Sequence, residues 1–70
     1  MRLIVNGETR EVEAESLAEL WRAEAEALAL EGPQGVAIAV NGEVAPRAAW
    51  ETTPLAEGDR VEIVRAMRGG

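Results

Sequence analysis

The order of periodicities along this 70-residue chain predicts an α+β fold, a mixed sheet of four to five strands packed on one main helix. Three observations carry that prediction. Two Asn-Gly pairs, Asn6-Gly7 and Asn41-Gly42, each lie between strand-like runs, the signature of a two-residue hairpin whose central residues both adopt positive φ. One stretch at helical spacing, Ser16 to Leu30, separates the hairpins, and a final run with period two, Arg60 to Arg65, follows the second of them. Two hairpins joined by a crossover helix require parallel as well as antiparallel neighbours.

Arg2-Leu3-Ile4-Val5 is too short for a helix and carries β-branched residues, so it reads as a buried strand. Thr9 to Glu13 is its return strand, and its polar pattern places it at an edge. Ser16-Leu17-Ala18-Glu19 is a capping box, in which the hydroxyl and the carboxylate satisfy amides that a helix start leaves unpaired. Leu17, Leu20, Trp21, Ala25 and Leu28 share one face of that helix, with Glu24 inside the same face as a mismatch expected at its rim or with its head snorkelled outward. Gly32-Pro33 stops the helix.

Val36 to Val40 alternates large and small apolar residues, as an interior strand covered on one side by a helix does. Glu43-Val44-Ala45 returns from it and ends at Pro46, which has no donor for a ladder. Arg47 to Trp50 is one helical turn with Trp50 expected in the core, Thr52-Thr53-Pro54 a loop, Leu55 a core anchor and Glu57-Gly58-Asp59 a turn. In the last strand Val61 and Ile63 point one way and Arg60, Glu62 and Val64 the other. The chain divides into one domain, residues 1–66, and a C-terminal tail, residues 67–70, expected to be flexible because glycine loses the most conformational freedom on ordering.

Composition narrows the chemistry. The chain has neither cysteine nor histidine, which removes disulfides, the usual zinc ligands and Ser-His-Asp or Cys-His catalysis. No metal site is expected. The net charge of -6 is uneven, with four arginines against twelve acids up to Asp59 and three arginines against Glu62 beyond it. An acidic body is repelled by phosphate backbones, so nucleic acid is not an expected partner, and basic protein surfaces are. No segment is long and apolar enough for a signal peptide or a membrane span, so the expected location is the cytoplasm with no membrane partner. All seven basic residues are arginine, leaving the N-terminal amine as the one conventional nitrogen or sulfur nucleophile.

Several stretches together resemble the ThiS family, the sulfur carriers of thiamine thiazole biosynthesis. They are Val5-Asn6-Gly7, Ala37-Ile38-Ala39-Val40-Asn41-Gly42, Pro46-Arg47-Ala48-Ala49-Trp50, Leu55-Ala56-Glu57-Gly58-Asp59 with Val61-Glu62-Ile63-Val64, and the ending Ala66-Met67-Arg68-Gly69-Gly70. The resemblance implies a β-grasp, ubiquitin-like fold and a Gly70 carboxylate that is adenylated and then converted to a thiocarboxylate. Gly69, Arg68 and Met67 would thread the partner's active site, with glycine admitting a channel too narrow for side chains. It also implies a ThiF-like adenylyltransferase that uses ATP and magnesium, a cysteine desulfurase or other sulfur donor, and a ThiG-like thiazole synthase as acceptor. The chain itself then binds no cofactor and is a cosubstrate, not an enzyme. Alternatives sharing the ending are the small subunit of molybdopterin synthase and the tRNA-thiolation carriers. Of a different class are a ubiquitin-like protein modifier and an inert β-grasp interaction module.

Overall fold

The computed structural model describes residues 1–27 and 35–65. They form strands β1 (Arg2–Val5) and β2 (Glu8–Glu11), helix α1 (Leu17–Ala27), strands β3 (Val36–Val40) and β4 (Glu43–Ala45), a 3-10 turn (Arg47–Thr52) and strand β5 (Arg60–Arg65). The sheet has five strands in the order β2-β1-β5-β3-β4. β1 and β5 are parallel and every other neighbouring pair is antiparallel, so the mixed sheet expected from the sequence is observed. The expected end of the helix at Gly32-Pro33, and Leu28 on its face, lie outside the described residues.

Both Asn-Gly turns form as their chemistry requires. Asn6 and Gly7 have φ of 50° and 84°, and Asn41 and Gly42 have 52° and 87°. These are the conformations in which a two-residue loop matches the twist of its flanking strands. The first turn pairs Val5 directly with Glu8, so β2 begins one residue earlier than the Thr9 expected. It also ends earlier than Glu13, at Glu11, beyond which Met1 and Val12 are still bonded in both directions at 3.0 and 2.8 Å. β2 is the edge strand its polar pattern indicated.

The Ser16 hydroxyl accepts from the Glu19 amide at 3.3 Å, and the Glu19 carboxylate accepts from the amide of Glu15 rather than that of Ser16. Ser16 sits in a bridge with Pro54, in which Leu17 N donates to Thr53 O and Leu55 N to Glu15 O, so the loop expected at residues 52–54 is stitched to the helix start. The helical turn also runs two residues past Trp50, because the Thr52 and Thr53 hydroxyls both donate to the Ala49 carbonyl.

Side chains from one face of the sheet meet α1 in a single core of Leu3, Val5, Leu17, Leu20, Trp21, Ile38, Trp50, Leu55 and Val61 with smaller residues. Trp21 and Trp50 pack at 5.8 Å between centroids with their planes tilted by 53°, within the separation at which aromatic pairs interact favourably. The Trp50 indole N–H donates to Ala45 O at 2.9 Å, so a buried donor is satisfied. Ala18 joins the buried face and Ala25 is only half-buried, which rotates the apolar stripe slightly from the one expected.

Glu24 corrects the sequence expectation. It lies buried within the face and not at a rim, with its carboxylate paired to the Arg10 guanidinium from β2. A buried carboxylate requires a donor, and the edge strand supplies one. Arg10→Ala is expected to lower unfolding stability by about 1–3 kcal/mol, because it leaves the Glu24 carboxylate buried without a partner. The double variant Arg10→Ala/Glu24→Leu is expected to recover most of that loss in urea titrations followed by tryptophan fluorescence.

Candidate functional site

The residues the sequence singled out, Met67, Arg68, Gly69 and Gly70, lie outside the described residues. What the structure places is the strand that leads to them. β5 lies at the middle of the sheet, its polypeptide running from the turn at Gly58 out to Arg65. Its alternation is the one expected: Val61 is buried and Ile63 half-buried on the helix side, while Arg60, Glu62 and Val64 are exposed on the open face.

The start of β5 is fixed from both sides. Asp59 O accepts from Ile4 N at 2.9 Å, Arg60 O accepts from Asn41 N at 2.7 Å, and Val61 O accepts from Asn6 N at 2.9 Å. The two turn asparagines then do what a hairpin signal alone does not show. Asn41 Oδ1 accepts from the Arg60 amide at 3.0 Å, and Asn6 Oδ1 accepts from the Ile63 amide at 2.8 Å. Each side-chain amide thus stands in for a backbone carbonyl that the turn has carried out of the ladder. Asp59 completes the anchor by accepting from Asn41 Nδ2 at 3.0 Å and from Ala56 N at 2.8 Å.

Ile4, Asn6, Gly7, Gly42, Arg60, Val61 and Glu62 border an open depression of about 480 Å³ between the two turns. Near the end of β5 the open face is apolar, with Ala37 opposite Val64 and Ala39 opposite Val44. Val64 is 58% and Val44 72% exposed, so this side of the sheet has no cover among the described residues. Those residues also hold no cluster of His, Cys, Asp or Glu placed to bind a metal ion, and no described helix is long and apolar enough to cross a membrane. The Met1 amine donates to Val12 O and lies 3.6 Å from a Glu11 carboxylate oxygen, at the start of the strand that runs parallel to β5. The one amine of the chain therefore sits at the end of the sheet opposite Arg65.

Among the described residues, no cluster of metal ligands lies at the end of β5. What lies there is the central strand of the sheet, paired with β3 along its length and with β1 at its start. The sequence indicated that strand through its period of two. It gave no sign of the side-chain bonds from Asn6 and Asn41, since an Asn-Gly pair is fully accounted for by its turn.

Comparison with known proteins agrees with this form. The family model described as the ThiS family matches residues 3–70. The crystal structure of a thiamine biosynthesis protein (ThiS) from Geobacter metallireducens is 37% identical, with a TM-score of 0.74 and 100% of both chains covered. The solution structure of a thiamine biosynthesis protein from the same organism, determined by NMR, is 34% identical with a TM-score of 0.71, covering 100% of this chain and 88% of that one. No curated protein matches the chain.

Asn6→Gly preserves the positive φ of the turn and removes only the acceptor for the Ile63 amide. The expected result is a loss of about 1 kcal/mol, with faster hydrogen exchange at Ile63 than at Val61 when both are followed by NMR. Equal acceleration at the two amides would mean that the turn itself had opened.

Proposed function

The chain belongs to the ThiS family, the sulfur carriers of thiamine biosynthesis, and on that premise we propose that Gly70 is the residue that carries the sulfur. The observation that supports this most directly is the match to the family model, which runs through Gly69 and Gly70. The central position of β5, which ends five residues before Gly70, supports it as well, since a strand paired with β3 along its length and with β1 as far as Val61 gives a short tail a defined origin.

A carboxylate is a poor electrophile because its charge is delocalised over both oxygens and its oxide is a poor leaving group. The proposed first step is attack of a Gly70 carboxylate oxygen on the α-phosphorus of ATP, held with magnesium by a ThiF-like adenylyltransferase, with release of pyrophosphate. The acyl-adenylate has AMP as a good leaving group. The terminal sulfur of a persulfide, charged by a cysteine desulfurase, attacks the acyl carbon and expels AMP. A thiol then cleaves the resulting acyl disulfide, leaving a thiocarboxylate on Gly70 and an ordinary disulfide on the donor. A ThiG-like thiazole synthase would be the acceptor. Gly69 allows the backbone to enter a channel without side-chain clearance, and Arg68 and Met67 would contact its mouth.

In this scheme the chain supplies a carboxylate and a shape, and the partner enzymes supply catalysis. The sequence fits such a passive role: there is no lysine or cysteine to capture the activated acyl group, and the Met1 amine is bonded at the far end of the sheet. The cytoplasm, where ATP and reduced thiols are available, is the proposed location.

Deletion of Gly70 is expected to abolish thiocarboxylate formation, read as the mass increase of one oxygen-to-sulfur exchange after incubation with the adenylyltransferase, ATP, magnesium and a sulfur donor. The melting temperature should be unchanged. Normal loading of the truncated chain would refute the assignment. Gly69→Val is expected to slow adenylation at least tenfold, measured by pyrophosphate exchange, while leaving thermal unfolding within about 0.5 kcal/mol of the parent.

A further inference from the structure

We propose that the flank of β5 from Ile63 to Arg65 is a docking edge, which pairs in strand fashion with an extended segment of the adenylyltransferase that activates Gly70. This inference rests on the carrier reading above. It begins from an imbalance in how β5 is paired. β3 runs beside β5 along its length, to Val36 opposite Arg65. β1 pairs with it only at Ile4–Arg60 and Val5–Val61, because Asn6-Gly7 then turns the chain away.

The direction of the remaining groups follows from the alternation of a ladder. In a strand, alternate residues direct their N–H and C=O to the same neighbour. Arg60 bonds Asn41 at the end of β3, so Glu62 and Val64 also address β3, and Val61, Ile63 and Arg65 address the β1 side. On that side Val61 O takes the Asn6 amide and the Ile63 amide is closed by Asn6 Oδ1. The next acceptor and donor in line, the Ile63 C=O and the Arg65 N–H, meet no strand among the described residues. Asn6 thus ends the internal ladder cleanly and leaves one acceptor and one donor in strand register beyond it. Such an edge is a template for another strand.

Three observations select the occupant. Gly70 lies five residues beyond Arg65, a reach of at most about 17 Å for an extended chain, so a protein holding Gly70 at its catalytic centre lies alongside this edge. Val64 is 58% exposed beside it, and the side chain of Arg65 is exposed and makes no ion pair among the described residues. The segment that fits is therefore extended, with an apolar residue next to Val64 and an acidic one next to Arg65. Pairing there would also hold the segment beyond it extended, lowering the ordering cost at the moment Gly70 is presented.

The test uses the full chain and a ThiF-like adenylyltransferase with ATP and magnesium. Binding of the enzyme is expected to slow hydrogen exchange at the Arg65 amide at least tenfold, with little change at Glu62, whose amide already faces β3. Arg65→Pro removes the edge donor without touching the β3 ladder, and Arg65→Ala removes only the charge. The proline variant is expected to raise the carrier's KM in pyrophosphate exchange at least tenfold over the alanine variant, with kcat within threefold and the same melting temperature. Unchanged exchange at Arg65, or equal KM values for the two variants, overturns the docking edge while wild-type turnover upholds the carrier. Protection of Arg65 that rises with carrier concentration in the absence of enzyme would assign the edge to a second copy and overturn the proposal as well.

Discussion

The two hairpins of this protein meet through its last strand, and the rest of the structure depends on that contact. β1–β2 and β3–β4 are each local, formed by neighbours in sequence around a two-residue turn. β5 enters between them, parallel to β1 and antiparallel to β3. Until it does so, neither hairpin has the flanking strand that makes a two-stranded ribbon stable in water. Its insertion spans 56 to 57 residues of sequence, as in the pairing of Ile4 with Arg60 and the bond from Ile63 to Asn6, so the sheet closes at the entropic cost of a nearly chain-length loop. The last described residues of the chain therefore belong to the central strand that joins the two hairpins.

That placement suits a sulfur carrier. A carrier has to offer the same end to partners in succession, and a tail rooted in an edge strand would move whenever the edge frayed. Here the root is bonded on both sides as far as Ile63, with turn asparagines completing the ladder where each hairpin departs. The body is correspondingly plain. It contains no clustered metal ligands among the described residues, and its one buried acid is neutralised by Arg10.

A chain of this length buries only roughly 60% of the surface its unfolded state exposes, and it has no disulfide to compensate. Stability must come from a few large contacts. Two tryptophans fill the space between helix and 3-10 turn, and the Ser16–Pro54 bridge pulls the second connection against the helix start. The Arg10–Glu24 pair ties the edge strand to the same helix. Each of these joins segments distant in sequence, so together they make the small core cooperative.

What the sequence by itself determined is what local chemistry controls. Asn-Gly twice over fixes two hairpins, because only residues tolerant of positive φ make that turn. Ser16 with Glu19 marks the helix start, alternation marks β5, and the order of motifs through Gly69-Gly70 marks the family. What only the tertiary structure decided is where groups far apart in the chain meet. Glu24 looked misplaced because its partner is on the edge strand, 14 residues away. The helix start at Ser16 is bridged to Pro54, 38 residues on, and Asn6 spends its side chain on Ile63 as well as its backbone on a turn. Periodicity reports which face a residue occupies and says nothing of what lies opposite. A hydrogen bond is set by a few tenths of an ångström between groups that the fold alone brings together.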